Sequence, residues 1–231
     1  MKRIIATVGP SLLNETPISK LHDEKNIYRI NGAHGSINDI EQYILKIKSQ
    51  VADAKILMDL PGNKVRTSGF EKGFINLEEG KEFSLSFNQM NYTNFYKYVK
   101  IGDTVWANDS IFKFKVIKID EIRSFITFYS YSSGKLQNNK GMHVRGIHEN
   151  IPFLFDKDKA LIELANKYKL SYVGLSFVRT RKDIIEAKKR INSEITIISK
   201  VETKAAVDNL ESILMEVDYI LIDRGDLSTE I

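Results

Sequence analysis

Short apolar runs separated by stretches with helical spacing dominate the first sixty residues. Arg3 to Val8 reads as a buried strand, Asn14 to His22 as a helix starting near Asn14 or Thr16, and Asn26 to Ile30 as a second strand. Ser36 to Val51 is the next helix and Ala54 to Leu60 the third strand. Strands that alternate with helices predict a parallel sheet or barrel. The texture changes near Thr67. Phe74 to Leu77, Glu82 to Phe87, Thr104 to Ala107, Phe112 to Ile119 and Ser124 to Tyr131 read as short strands between turn residues, with Asn88 to Tyr98 a polar connection rich in asparagine and tyrosine. After Gly141 the alternation resumes. Lys157 to Lys167, Arg181 to Ile191 and Lys204 to Met215 read as helices, and Tyr172 to Phe177, Ile195 to Val201 and Tyr219 to Ile222 as strands. The expected organisation is an α/β segment at 1–66, an all-β insertion at 67–141 and a second α/β segment at 142–231.

Composition narrows the class without naming a function. The 231 residues are 42% hydrophobic and 28% charged, ordinary for a globular domain. No run approaches the ~18 apolar residues of a membrane span, and Met1 to Val8 lacks the apolar core of a signal peptide. A cytoplasmic enzyme with no membrane partner is the expectation. The absence of cysteine excludes disulfides, thiolate zinc sites and a cysteine nucleophile. A net charge of +4 suits phosphate-bearing substrates and equally no partner at all, and no long basic run points to nucleic acid.

The candidate chemistry lies in IISKVE at 197–202 and LIDRGDLSTE at 221–230. Residues two apart on a strand share a face, so Lys200 and Glu202 point together, and Asp226 follows the next strand in an Arg-Gly-Asp turn. Ligands of parallel α/β folds bind at the carboxyl ends of strands, and two hard carboxylates with open positions suit Mg²⁺. Two readings stand at this point. Lys200, Glu202 and Asp226 form a metal and anion site, or Lys200 and Glu202 are a solvated ion pair with Asp226 as a helix cap.

Seven motifs in order carry a family resemblance: IIATVGPS, YRINGAHG, MDLPGNKVRTSG, NKGMHVRG, LSFVRT, IISKVE and LIDRGDLSTEI. The chain resembles the front part of the catalytic region of pyruvate kinases. The resemblance implies a (β/α)8-type (TIM) barrel, here incomplete with about six strands, carrying a small all-β barrel lid after the third strand. It also implies phosphoryl transfer from phosphoenolpyruvate to ADP, giving pyruvate and ATP in glycolysis. Residue by residue, Lys200 matches the lysine that neutralises the phosphoryl group and the enolate. Glu202 and Asp226 match the Mg²⁺ ligands, and the Gly225 and Asp226 amides would hold the substrate carboxylate. Arg29 and Arg66 match phosphate-contacting arginines, and His34 a residue on the nucleotide side. Asp109 falls where the lid aspartate closes over the site, beside Ser110 in place of the usual glycine.

Departures from the pattern shape further expectations. Of the K⁺ ligands, Asn31 and Asp59 match and a carbonyl comes from Leu60, but the serine position is Ala33 and an acidic position has become Lys64. A lysine ammonium supplies a fixed positive charge without oxygen ligands, so K⁺ is expected to be dispensable. Asp223 replaces a small residue ahead of Arg-Gly-Asp, and strand alternation leaves its direction open. Six barrel strands leave two open edges. The chain is therefore expected to be a fragment, a split polypeptide completed by a partner chain, or a short form covered in a homo-oligomer. Two further functions are compatible with the residues: a phosphoenolpyruvate or pyruvate-enolate enzyme without nucleotide, and a non-catalytic binding or regulatory protein.

Overall fold

The computed structural model describes residues 4–9, 17–20, 22–108, 110–144, 147 and 150–230. The chain divides into two units, one of Met1–Gly62 with Phe153–Ile231 and one of Asn63–Pro152.

The first unit is built on a six-stranded, all-parallel sheet. Its strands run in the order β1 (Ile5–Thr7), β2 (Ile27–Asn31), β3 (Lys55–Asp59), β11 (Tyr172–Leu175), β12 (Thr196–Val201) and β13 (Tyr219–Ile222). Helices α1 (Ile37–Gln50), α2 (Asp156–Lys167), α3 (Arg181–Lys188), α4 (Lys204–Asp208), α5 (Leu210–Leu214) and α6 (Arg224–Glu230) lie in the same unit. Helix α1 shows why the sequence folds this way. Ser36 accepts the Asp39 N–H while the Asp39 carboxylate accepts the Ser36 N–H, a reciprocal cap that fixes the first turn. Ile40, Ile44 and Ile47 then fall on one face and are fully buried. Each such side chain contributes about 1.5–3 kcal/mol over an exposed one.

Period-two alternation sorts each strand between two environments. Tyr28, Ile30, Ile56, Met58, Val173, Leu175, Ile197 and Val201 enter the main core with the helices. Ile27, Leu57 and Ile198 form a small separate cluster with Tyr172 and Leu221 on the other face. Arg29, Asp59 and Lys200, two residues further along β2, β3 and β12, therefore stand above that apolar layer at the strand exits.

Four segments differ from the sequence expectation. Of the helix expected over Asn14 to His22, residues 14–16 and 21 lie outside the described residues, and Ile18–Lys20 is a 3-10 turn. Lys204 to Met215 is two short helices, because Asn209 turns its Nδ2 onto the Ala205 and Arg179 carbonyls and breaks the helical dihedrals between them. Arg-Gly-Asp is not a free-standing turn but the first turn of α6. Of the strand expected over Arg3 to Val8, Arg3 lies outside the described residues, and β1 covers Ile5–Thr7.

The second unit is antiparallel. A five-stranded sheet has the order β10 (Met142–His143), β6 (Thr104–Ala107), β7 (Phe112–Asp120), β8 (Phe125–Ser130), β5 (Glu82–Ser86), and β4 (Phe74–Leu77) pairs with β9 (Gly134–Gln137). Phe114, Val116, Ile126 and Phe128 are fully buried on alternating positions, and Phe83 meets Phe114 edge-on at 4.9 Å. The connection at Asn88 to Tyr98 is ordered by 3-10 turns at Phe87–Gln89 and Thr93–Lys97. Strands β9 and β10 escaped the sequence reading because β10 is two residues long and β9, Gly-Lys-Leu-Gln, carries a single apolar residue.

Candidate active site

The exits of β2, β3, β11, β12 and β13 converge on Lys200. Its Nζ lies 2.6 Å from Glu202 Oε1, 3.5 Å from Asp59 Oδ1 and 3.6 Å from Asp223 Oδ2, and donates to Ser176 Oγ at 3.0 Å. Lys200 is 6% exposed and Glu202 0%, which removes the reading of a solvated pair. Burial alone would push the Lys200 ammonium down, but the charges of Asp59 and Glu202, the Glu202 hydrogen bond and the Asp223 charge outweigh it and raise its pKa. Burial raises the Glu202 carboxyl against the opposing pull of Lys200 and of the Phe177 N–H, which donates to Oε2 at 2.7 Å.

Arg29 completes the cation set. Its Nε donates to Asp59 Oδ2 at 2.8 Å, a second guanidinium nitrogen shares the same oxygen, and Nη1 donates to Thr7 Oγ1 at 2.9 Å. Asp59 is thus held between Arg29 and Lys200, and glycine at 174 leaves the room, since a Cβ there would stand 3.3 Å from Asp59 Oδ1. Ser176 donates to the Leu60 carbonyl at 2.6 Å, and the Asn31 side-chain oxygen accepts the Ala33 N–H at 3.0 Å. The three oxygen groups expected around a monovalent cation are each engaged by a donor of this chain.

Asp223 faces the site. Its carboxylate accepts the N–H groups of Gly225 and Asp226 and its carbonyl accepts the Leu227 N–H, so Asp223, not Asp226, caps α6. Burial would raise its carboxyl, but the Lys200 charge and the backbone N–H groups of Asp226 and Gly225 hold it below the usual range. Oxygens of Glu202, Asp223 and Asp226 all lie within 4.8 Å of one another. A cluster of three hard oxygen donors, one of them fully buried, fits a divalent ion such as Mg²⁺.

The remaining predicted residues fall on the turn after β2, in the second unit or outside the described residues. His34 is exposed on the turn after β2. Lys64 and Arg66 belong to the second unit, where the Arg66 N–H is accepted by Asn91 Oδ1 and the Lys64 carbonyl accepts from Asn91 Nδ2. Asp109 lies outside the described residues. Sequence reasoning missed Ser176 and Thr7. Ser176 stood in the LSFVRT motif as the only hydroxyl at that strand exit, and that was the available signal.

Comparison of the sequence with known proteins points to one family. The model of the pyruvate kinase barrel domain matches residues 1–231. A pyruvate kinase of Thermotoga maritima is 35% identical over 99% of this chain and 52% of its own length. Those of Staphylococcus haemolyticus and Staphylococcus epidermidis are 31% and 29% identical over 99% of the chain and 42% of theirs. The chain spans about half, or less, of the length of these curated relatives. Over its whole length it belongs to the pyruvate kinase family, through the barrel domain.

Proposed function

We propose that this chain carries the phosphoryl-transfer centre of a Mg²⁺-dependent pyruvate kinase, which moves a phosphoryl group from phosphoenolpyruvate to ADP. In that reaction the bond from the enol oxygen to phosphorus breaks, a bond from an ADP β-phosphate oxygen forms, and the enolate gains a proton to become pyruvate. The observation that carries the reading is Lys200, a buried ammonium held by Asp59, Glu202, Asp223 and Ser176 beside a three-carboxylate cluster.

Phosphoryl transfer is achieved mainly by positioning and by cations aimed at peripheral oxygens. Lys200 meets the phosphoryl oxygens and the enolate oxygen, and its four partners fix the ammonium so that little reorganisation is needed. Arg29, braced by Asp59 and Thr7, meets the phosphate from the β2 side. Glu202 and Asp226 hold Mg²⁺, with Asp223 within reach, and bound Mg²⁺ supplies Lewis-acid stabilisation of charge on substrate oxygens. The Gly225 and Asp226 amides receive the substrate carboxylate. Arg66, His34 and Asp109 serve the nucleotide side, and the all-β segment at 67–141 acts as the lid that carries Asp109. The segment boundaries near 66 and 141 belong to the same reading, as do a cytoplasmic location and completion by a homo-oligomer or partner chain. Among the described residues no helix is long and apolar enough to cross a membrane.

K⁺ is dispensable in this reading. Asp59, Leu60 and Asn31 spend their oxygens on Arg29, Ser176 and Ala33, and Lys64 contributes fixed positive charge. One observation favours a second reading, a non-catalytic binding or regulatory protein: the amides assigned to the substrate carboxylate are taken by Asp223. A coupled assay with phosphoenolpyruvate, ADP and Mg²⁺, beside Lys200→Met, decides between them. Pyruvate formation above the Lys200→Met level supports the kinase, and equal rates support the second reading.

A further inference from the structure

Asp158, near the start of α2, is fully buried, and its two carboxylate oxygens serve two distant stretches of chain. Oδ1 accepts the Gly62 N–H at 2.9 Å, and Oδ2 accepts the Phe155 N–H at 2.9 Å. Gly62 is the last residue of the α/β unit before the chain passes to Asn63–Pro152, and Phe155 follows closely on its return at Phe153. We infer that Asp158 is a positioning residue, an anchor in the α/β unit shared by the departure and the return of the inserted segment.

Geometry ties the departure side of this anchor to the site. Gly62 has φ +68°, and a Cβ there would stand 2.9 Å from both Ser176 Cβ and the Ser176 carbonyl, so its turn is pressed against the β11 exit. Ser176 in turn holds the Leu60 carbonyl and the Lys200 ammonium. A change at Asp158 therefore reaches Lys200 through Gly62 and Ser176 without touching any reacting group. A serine or threonine cap has one acceptor oxygen and serves one chain segment, whereas a carboxylate has two. Burying it is costly, and its neighbours do little to offset that. The charged side chain acting on it is Lys157, whose Nζ is committed to the Ala33 and Gly35 carbonyls, and the other facing groups are backbone N–H donors. Burial accordingly pushes the Asp158 carboxyl up to about 6. Since each oxygen already faces an N–H, protonation must weaken one of the two bonds. The anchor holds both chain segments above about pH 6 and one below it.

Amide hydrogen exchange of the 231-residue chain tests this, read as protection factors at Gly62 and Phe155 between pH 5 and 7.5, with α1 as internal reference. Wild type should lose about tenfold protection at Gly62, the partner 96 residues away, as pH falls through 6. Asp158→Asn, which keeps the shape but has one acceptor oxygen, should show that loss already at pH 7.5 with no further pH dependence. The wild-type titration alone decides the question where the variant does not fold. Protection at both amides that is flat with pH, or unchanged in Asp158→Asn, overturns the inference. So does loss confined to Phe155 and α2 with Gly62 unaffected in both proteins, since that is a local helix cap.

Discussion

Asp223→Ala is the substitution whose effect departs furthest from ordinary expectation: deletion of a charged residue at the site should tighten substrate binding. In the unliganded chain the Asp223 carboxylate takes the Gly225 and Asp226 amides and faces Lys200 at 3.6 Å. A substrate carboxylate bound to those amides must first displace it. The Asp223 side chain is 35% exposed, which weakens its pairing with Lys200 toward the range of surface ion pairs, about 1 kcal/mol or less. The two amide bonds, at a partly exposed carboxylate, add about 0.5–1 kcal/mol each after solvent exchange. At ~1.4 kcal/mol per decade, the displacement costs about tenfold to a hundredfold in affinity. Titration calorimetry with phosphoenolpyruvate and Mg²⁺ should therefore show Asp223→Ala binding about tenfold tighter or more. Asp223→Asn, which still caps with its amide oxygen but lacks the charge, should fall between. Loss of the cap should cost about 1 kcal/mol of stability, which lowers Tm by a few degrees. The reasoning is refuted if Asp223→Ala binds the substrate as weakly as wild type. A large loss of Mn²⁺ affinity in the same variant, measured without substrate, would instead make Asp223 a metal ligand that the site cannot spare.

Lys200→Met should reduce turnover by about a hundredfold or more. It should also destabilise the chain by about 3–5 kcal/mol in urea, because Glu202 and Asp59 are left buried without their ammonium. Gly62→Ala places a Cβ 2.9 Å from Ser176 at φ +68° and should cost at least about 1–3 kcal/mol, visible as a lower denaturation midpoint. Turnover should be the same when K⁺ replaces Na⁺, and a strong rise in K⁺ would restore the monovalent ion to the mechanism. The folded Asp158 carboxyl, raised from 3.8 to about 6, binds its proton more tightly than the unfolded one. Its contribution to stability is greatest below about pH 4 and is lost as pH rises through about 6, about 3 kcal/mol in all. Asp158→Asn should lack that slope in denaturation at stepped pH.

The sequence was most legible where a local rule acts alone. Ser36 followed by Asp39 and isoleucines at helical spacing announced α1, and alternation on β12 put Lys200 and Glu202 together, as the structure has them. Burial of that pair was not legible, because it depends on β3, β11 and β13 arriving beside β12 in register. Asp223 shows the limit most directly. Alternation left its direction open, and what settles it is the competition for orphan amides at the start of α6, which only the assembled strand exit displays. Asp158 was hidden for a similar reason, since its partner Gly62 lies 96 residues away along the chain.

The charge count at the strand exits explains why no single group there can act by itself. With all four carboxylates ionised, Arg29 and Lys200 face Asp59, Glu202, Asp223 and Asp226, a formal excess of two negative charges in a partly buried setting. An anionic phosphate ester approaching that cluster is repelled, and a divalent cation bound at Glu202 and Asp226 would cancel the excess. Metal binding and anion binding are therefore coupled, and removal of one carboxylate must move them in opposite directions. Asp223→Ala leaves an excess of one negative charge, so the metal alone should bind less tightly while the substrate binds more tightly. Calorimetric titrations of Mn²⁺ and of substrate, each with and without the other, should show that opposition. If both affinities fall together, Asp223 is supporting the shape of the site and not tuning its charge.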